Sequence, residues 1–214
     1  MLGPLGILGG TFDPLHIAHL RMAQEAYEQL GLASVRFIPA GQPRHRDQPG
    51  ASAEHRLGMA RAALQGIAHF SLDDAEVRSD APSYTVPTLE RLRKELGADI
   101  SLVLLLGADA FLGLASWHRW QDLFDLAHIA VATRPGYVID PKEMPAALAR
   151  EFSARHAVAG DLSASPAGSV LPYTMTPLEI SATAIRACCA AHRSPRFLVP
   201  DAVLDYISTH QLYV

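Results

Sequence analysis

Cysteine is almost missing. Among 214 residues there are two, Cys188 and Cys189, and they are neighbours. Adjacent cysteines are poorly placed to bridge each other, so a secreted disulfide framework is not expected and a reducing interior is the simpler expectation. Charge of one sign is also lacking. Eighteen basic against 22 acidic residues give a net charge of −4, with no run of five like charges. A basic stripe for nucleic acid or an anionic membrane is therefore not expected. Nor is there a long apolar run. The opening "MLGPLGILGG" has no basic leader and is too short to span a bilayer, so it reads as a buried strand rather than a signal peptide. The expectation is a cytoplasmic protein, monomer or homo-oligomer. The chain shows no repeat and no low-complexity tract. It has neither a G-x-G-x-x-G dinucleotide fingerprint nor a G-x-x-x-x-G-K-[ST] phosphate loop.

What is present suits one domain over residues 1–214. Half the composition, 49%, is hydrophobic, enough for a sizeable core. Leu5–Leu8 is a short apolar run stopped by Gly9-Gly10. Asp13-Pro14 reads as an N-cap and first helical residue, opening a helix that runs to Leu30 and ends at Gly31. "SVRFIPA" (34–40), "HFSLDDAEV" (69–77), "DISLVLLLGAD" (99–109), "HIAVATRPG" (128–136) and "VLPYTM" (170–175) read as strands. Helices are predicted at Ala53–Leu64, Tyr84–Leu96, "WHRWQDLFDLA", Pro141–Phe152, Ile180–Ala190 and Pro200–His210. The stretch from Pro39 to Ser52 is rich in proline, glycine and basic residues and reads as a long loop. Alternating strands and helices predict an α/β, Rossmann-like, doubly wound parallel sheet with helices on both faces and a helical C-terminal end. Such sheets bind ligands beyond the carboxyl ends of their strands.

Gly9-Gly10-Thr11 lets backbone N–H groups approach an anion, because no Cβ blocks the way. The helix that follows adds the positive end of its dipole. A tight strand-to-helix turn of any α/β domain would look the same. His16 and His19 are three residues apart, on one face of the first helical turn. Zinc would need a third and usually a fourth ligand, and His118, His128 and Asp109 form no supporting local pattern. Histidines that donate to phosphate oxygens need no further ligand. Farther on, "EISATAIRA" (179–187) opens a helix at Ser181, a good N-cap. Its hydroxyls at Ser181 and Thr183 also suit an anion, and Arg186, one turn in, can grip a phosphate bidentately. Two helix starts and an arginine at strand ends suggest a polyphosphate.

"GGTFDPLHIAH" with "ISATAIR" closely resembles the nucleotidylyltransferase superfamily, whose signatures are H-x-G-H and I-S-S-T-x-I-R. Within it, "PAGQPRHR", "SYTVPTLERL", "GADAFLGLASWHRW" and "RPG" resemble the bacterial nicotinate-mononucleotide adenylyltransferases. The motifs follow one another in order from Gly9 to Arg186. The resemblance implies transfer of AMP from ATP to nicotinate mononucleotide, with a Mg²⁺ ion arriving on the ATP. It implies ATP contacts by Gly9, Gly10, Thr11, Phe12, His16, His19, Gly107, Asp109, Ile180, Ser181, Thr183 and Arg186. His16, His19 and Arg186 are the implied catalytic residues. It implies mononucleotide contacts by Arg46, Tyr84, Thr85, Asp109, Trp117 and Arg134. For Trp117 the alternative is an amphipathic helix that buries it with Trp120; for Arg134 it is a surface role. Two positions depart from the family pattern. Ala18 replaces the glycine of H-x-G-H, and Ala182 replaces a serine of I-S-S-T.

Overall fold

Leu102–Leu106 are five successive apolar residues, and each is buried. In the computed structural model they form the body of a central strand, covered on both faces as an interior parallel strand must be. Residues 3–43, 49–157 and 162–214 are described. The strands are β1 (Leu5–Gly10), β2 (Ser34–Pro39), β3 (Phe70–Leu72), β4 (Leu102–Gly107), β5 (His128–Thr133) and β6 (Val170–Thr174). They form one sheet in the order β3-β2-β1-β4-β5-β6. β1 runs parallel to β4 with Leu5 opposite Leu102, and β4–β5 and β5–β6 are parallel too. Strand order reverses between β1 and β4, which is the switch point of a doubly wound sheet. The predicted architecture is therefore the observed one.

The helices are α1 (Ile17–Gln29), α2 (Ala53–Leu64), α3 (Thr85–Leu96), α4 (Ala108–Leu112), α5 (Leu123–Leu126), α6 (Ala146–Arg155), α7 (Ala182–Ala190) and α8 (Asp201–Thr209). Five expectations need correction. α1 begins at Ile17, not Pro14, because Asp13 does not cap it: the Asp13 carboxylate accepts from the N–H groups of Gly50 and Ala51. The segment from Trp117 to Ala127 is not one helix. It breaks at Arg119, which sits in the left-handed region at φ 54°, leaving a 3₁₀ turn (Trp120–Asp122) before α5. Pro141–Phe152 likewise splits into a 3₁₀ turn (Pro141–Glu143) and α6. Finally, β3 is three residues long, and α4 follows β4 where the sequence pattern predicts no helix. No helix among the described residues is long and apolar enough to cross a membrane.

The chain divides into two compact units. The first comprises Met1–Leu8, Met22–Val35 and Tyr84–Pro177; the second comprises Gly9–Arg21, Arg36–Ser83 and Leu178–Val214. In the first, Arg93 of α3 donates to the carbonyls of Leu126, Ala98, Ile100 and Pro166. One guanidinium thereby donates to four main-chain carbonyls. Buried Glu25 of α1 is paired with the N–H and hydroxyl of Thr176 at 2.7 and 2.6 Å. In the second unit Arg56 plays the part of Arg93. It is 1% exposed and donates to the carbonyls of Thr11, Ala40 and Gly41 at 2.7, 2.6 and 3.0 Å.

Candidate active site

The exit from β1 is shaped by one aromatic ring. Phe12 adopts a left-handed backbone (φ 50°) and is 2% exposed. A Cβ on Gly10 would come within 2.8 Å of that ring, so Gly10 is required by packing as well as by any ligand. Phe12 meets the His19 ring edge-on at 5.1 Å. Its side chain therefore supports a histidine, and only its backbone is available to an anion. Gly9 is different: it is exposed, and the nearest atom to a Cβ there would be 4.0 Å away. The fold does not need a glycine at that position, and without a Cβ the backbone there is open to close approach.

His16 and His19 stack at 3.7 Å between ring centroids. His16 immediately precedes α1 and His19 lies in its first turn, so the predicted pairing holds although the helix starts later. The N–H of His16 donates to Nδ1 of His19 at 3.3 Å. That bond keeps Nδ1 unprotonated and leaves the ring proton on Nε2, as a donor. Ile17 N–H, at the start of α1, donates to the carbonyl of Leu198.

His16 is 5% exposed, and its Nδ1 has no partner among the described residues. His128 shows the contrast. It too is buried, but its Nε2 meets Ser165 O and its Nδ1 accepts from Ser169 N–H, which is a structural role. A buried ring nitrogen left unpaired is a cost that a purely structural histidine need not carry. Burial lowers the His16 pKa from 6.5 to about 4. His16 is therefore neutral at pH 7. In the unfolded chain it takes up a proton near pH 6.5, and in the folded chain only near 4. Stability is thus fully present above pH 6.5 and falls as pH drops toward 4, by about 3 kcal/mol from this group. A His16→Asn variant is expected to lose that slope in melts taken from pH 7 to pH 4. An unchanged slope would count against a buried neutral ring.

The start of α7 supplies the second set. Ser181 is its N-cap and accepts from Ala184 N–H at 3.1 Å, so the capping reading of Ser181 is correct. Thr183 is exposed and its hydroxyl accepts from Arg186 Nη2 at 3.3 Å. Ile180 is half-buried just before the cap. Arg186 Nη1 donates to the carbonyl of Asp13 at 2.7 Å and lies 3.5 Å from the Asp13 carboxylate. One arginine thus joins the start of α7 to the turn three residues before His16. Gly9, Gly10, Thr11, Phe12, His16, His19, Ile180, Ser181, Thr183 and Arg186 all belong to the second unit.

Tyr84, Thr85, Gly107, Asp109, Trp117 and Arg134 belong to the first unit. Tyr84 precedes α3 without making a side-chain capping bond, and its ring lies against His118 at 4.6 Å. The Tyr84 side chain thus does not cap the start of α3. Trp117 is half-buried and not part of a helix. Asp109 and Arg134 are exposed. A Cβ on Gly107 would meet nothing within 4 Å. Arg46 lies outside the described residues. Among those described, no group of three or more His, Cys, Asp or Glu side chains is placed to hold a metal ion.

Residues 7–188 match the family model described as cytidylyltransferase-like. The chain belongs to that family. Two relatives are similar over nearly their whole length. A probable nicotinate-nucleotide adenylyltransferase of Dechloromonas aromatica is 57% identical over 214 residues, covering 100% of this chain and 99% of the relative. One of Pseudomonas putida (strain W619) is 50% identical over 209 residues, covering 98% and 94%. Among solved structures, the nicotinic acid mononucleotide adenylyltransferase of Plasmodium falciparum, complexed with NaAD, superposes with a TM-score of 0.73. That match covers 99% of this chain and 97% of the other, at 18% identity, so it speaks to the fold.

Three residues of this cytidylyltransferase-like site were not found by reading the sequence. Asp13 reads in the sequence as a helix cap. Arg56 carried a signal: it shares a helical face with Met59, Ala60 and Ala63, all buried, and a charge on an apolar face calls for a buried partner. Tyr213 carried none. Its hydroxyl donates to Asp13 Oδ1 at 2.7 Å, across 200 positions of sequence.

Proposed function

We propose that this chain is a nicotinate-nucleotide adenylyltransferase, which joins AMP from ATP to nicotinate mononucleotide and releases pyrophosphate. The reading is carried by the second unit, where a stacked histidine pair and an arginine are tied to one turn. The 57% identity to a relative of that name supports it. The phosphate of the mononucleotide is mostly dianionic at neutral pH and needs no general base. One of its oxygens attacks the α-phosphorus of ATP. The α–β bridging bond breaks, and pyrophosphate leaves with the electron pair. What the protein must supply is alignment and donors for the charge that develops.

The roles follow from position. Gly9, Gly10 and Thr11 offer backbone N–H groups and a hydroxyl to the triphosphate. Nε2–H of His19 donates to the α-phosphate. Neutral His16 supports the His19 ring and contributes a second donor. Thr183 and Arg186 hold the phosphates that depart. A Mg²⁺ ion arriving with the triphosphate would neutralise part of its charge. In the first unit, backbone N–H groups at Tyr84-Thr85, where α3 begins, suit a carboxylate better than an amide, whose NH₂ would face donors. Trp117 stacks on the pyridine ring, Asp109 accepts from a ribose hydroxyl, and Arg134 and Arg46 add positive charge. The reaction sits in the cytoplasm, where Cys188 and Cys189, both free, stay reduced.

A panel of acceptors followed by pyrophosphate release tests the reading. Nicotinate mononucleotide is expected to be the best acceptor, ahead of nicotinamide mononucleotide, phosphopantetheine and glycerol phosphate. No release with any of them would end the proposal. Trp117→Ala is expected to raise KM for the mononucleotide about tenfold and leave KM for ATP unchanged. The reverse pattern would show that the ring assignment is wrong.

A further inference from the structure

We propose that Tyr213 is a positioning residue for Arg186, acting through the carboxylate of Asp13. The inference rests on the reading of Arg186 as a ligand of the departing phosphates. Asp13 is 4% exposed, and every side of its carboxylate is engaged. Oδ1 accepts from the Tyr213 hydroxyl at 2.7 Å and from Ala51 N–H at 3.1 Å. Oδ2 accepts from Gly50 N–H at 2.7 Å and faces Arg186 Nη1 at 3.5 Å. The same guanidinium nitrogen donates to the Asp13 carbonyl. Asp13 therefore grips Arg186 at two points, and the phenol fixes the orientation of the gripping carboxylate.

Three further observations show that this contact is built. Gln211 and Tyr213 both adopt left-handed backbones, at φ 49° and 65°. Side chains other than glycine pay for that conformation, and here it folds the chain back after α8 so that the phenol reaches Asp13. Next, Gly50 lies between the two partners. A Cβ there would come within 3.0 Å of Arg186 Cδ and 3.3 Å of the Tyr213 ring, so phenol, glycine and arginine stem form one packed stack. Last, burial raises the pKa of the Tyr213 hydroxyl, and its bond to Asp13 raises it further. The phenol stays protonated and stays a donor over the working range.

The mechanism distinguishes this role from a general structural one. Without the phenol, the carboxylate keeps its two N–H donors but loses one restraint on its rotation. Arg186 then samples more orientations, and the cost falls on the polyphosphate and not on the acceptor. Tyr213→Phe keeps the ring against Gly50 and removes only the hydroxyl.

Steady-state kinetics of wild type, Tyr213→Phe, Arg186→Ala and the double variant test it, with pyrophosphate release as the readout. A hydrogen bond to a charged group is at stake, so kcat/KM for ATP is expected to fall about tenfold in Tyr213→Phe. KM for nicotinate mononucleotide should stay within about twofold. In the Arg186→Ala background the same substitution should have no further effect, because the residue it positions is gone. Calorimetric binding of an α,β-methylene ATP analogue should weaken in parallel, which checks the role without turnover. Wild-type kinetics in Tyr213→Phe, equal losses on both substrates, or a full additive loss in the double variant would each overturn the proposal. A wild-type protein that releases no pyrophosphate would instead overturn the function itself, so the two failures are separable. If Tyr213→Phe melts well below wild type, analogue binding measured at a temperature where both are folded decides.

Discussion

Replacing His19 with alanine is expected to lower kcat by about 100- to 1,000-fold, the range seen when one preorganised donor to a developing oxyanion is removed. KM for ATP should move by less than about threefold, because the donor matters most when charge accumulates on the α-phosphoryl group. The geometry makes this residue, rather than His16, the one to lose. Its Nδ1 is occupied by the His16 backbone N–H, so Nε2 is the donor. Its ring is held by His16 at 3.7 Å and by Phe12 at 5.1 Å, so little reorganisation is needed at the moment of transfer. Purified His19→Ala should keep the wild-type melting temperature to within a few degrees. Loss of ATP binding with turnover unchanged at saturation would show that the ring serves the ground state only.

Replacing Arg56 with methionine is expected to cost about 3–5 kcal/mol of stability. The stem would still pack, but the carbonyls of Thr11, Ala40 and Gly41 would be left buried without donors. For a chain of this length that corresponds to a fall in Tm of about 10 °C or more. Burial lowers the Arg56 pKa, and the charge of Asp13 opposes that shift. Because Thr11 sits in the turn proposed to meet the triphosphate, the variant should also lose activity below its melting point. Arg56→Lys is expected to recover little, since one ammonium cannot span three carbonyls in the fork geometry of a guanidinium. A lysine variant as stable as wild type would mean that charge, and not the fork, holds these loops.

Where the sequence reading succeeded, the signal was local. Five successive apolar residues at Leu102–Leu106 announce a strand covered on both faces. The serine of "ISATAIR" announces the start of α7, and Ser181 caps it as expected. The order of motifs was enough to place the chain in its family, and the histidine pair was visible from its spacing. Where it failed, the deciding force was not local. Asp-Pro before an apolar run is a good helix start by propensity, yet Asp13 turns its carboxylate to Gly50 and Ala51 and the helix begins at Ile17. The 117–127 segment has helical periodicity, yet Arg119 leaves the helical region and pairs with Glu90 and Asp122.

By itself, then, the sequence determined the α/β alternation, the family, and the pairing of two histidines next to a glycine turn. Those depend on hydrophobic period and on glycine, histidine and hydroxyl chemistry within short windows of chain. Tertiary structure alone decided that His16 is buried and neutral, that the Phe12 ring braces His19, and that Arg56 and Tyr213 secure the loop between them. The physical reason is that desolvation and the pairing of buried polar groups depend on what lies within a few ångströms in space. Partners separated by 45 or 200 positions of chain leave no periodic trace in the sequence.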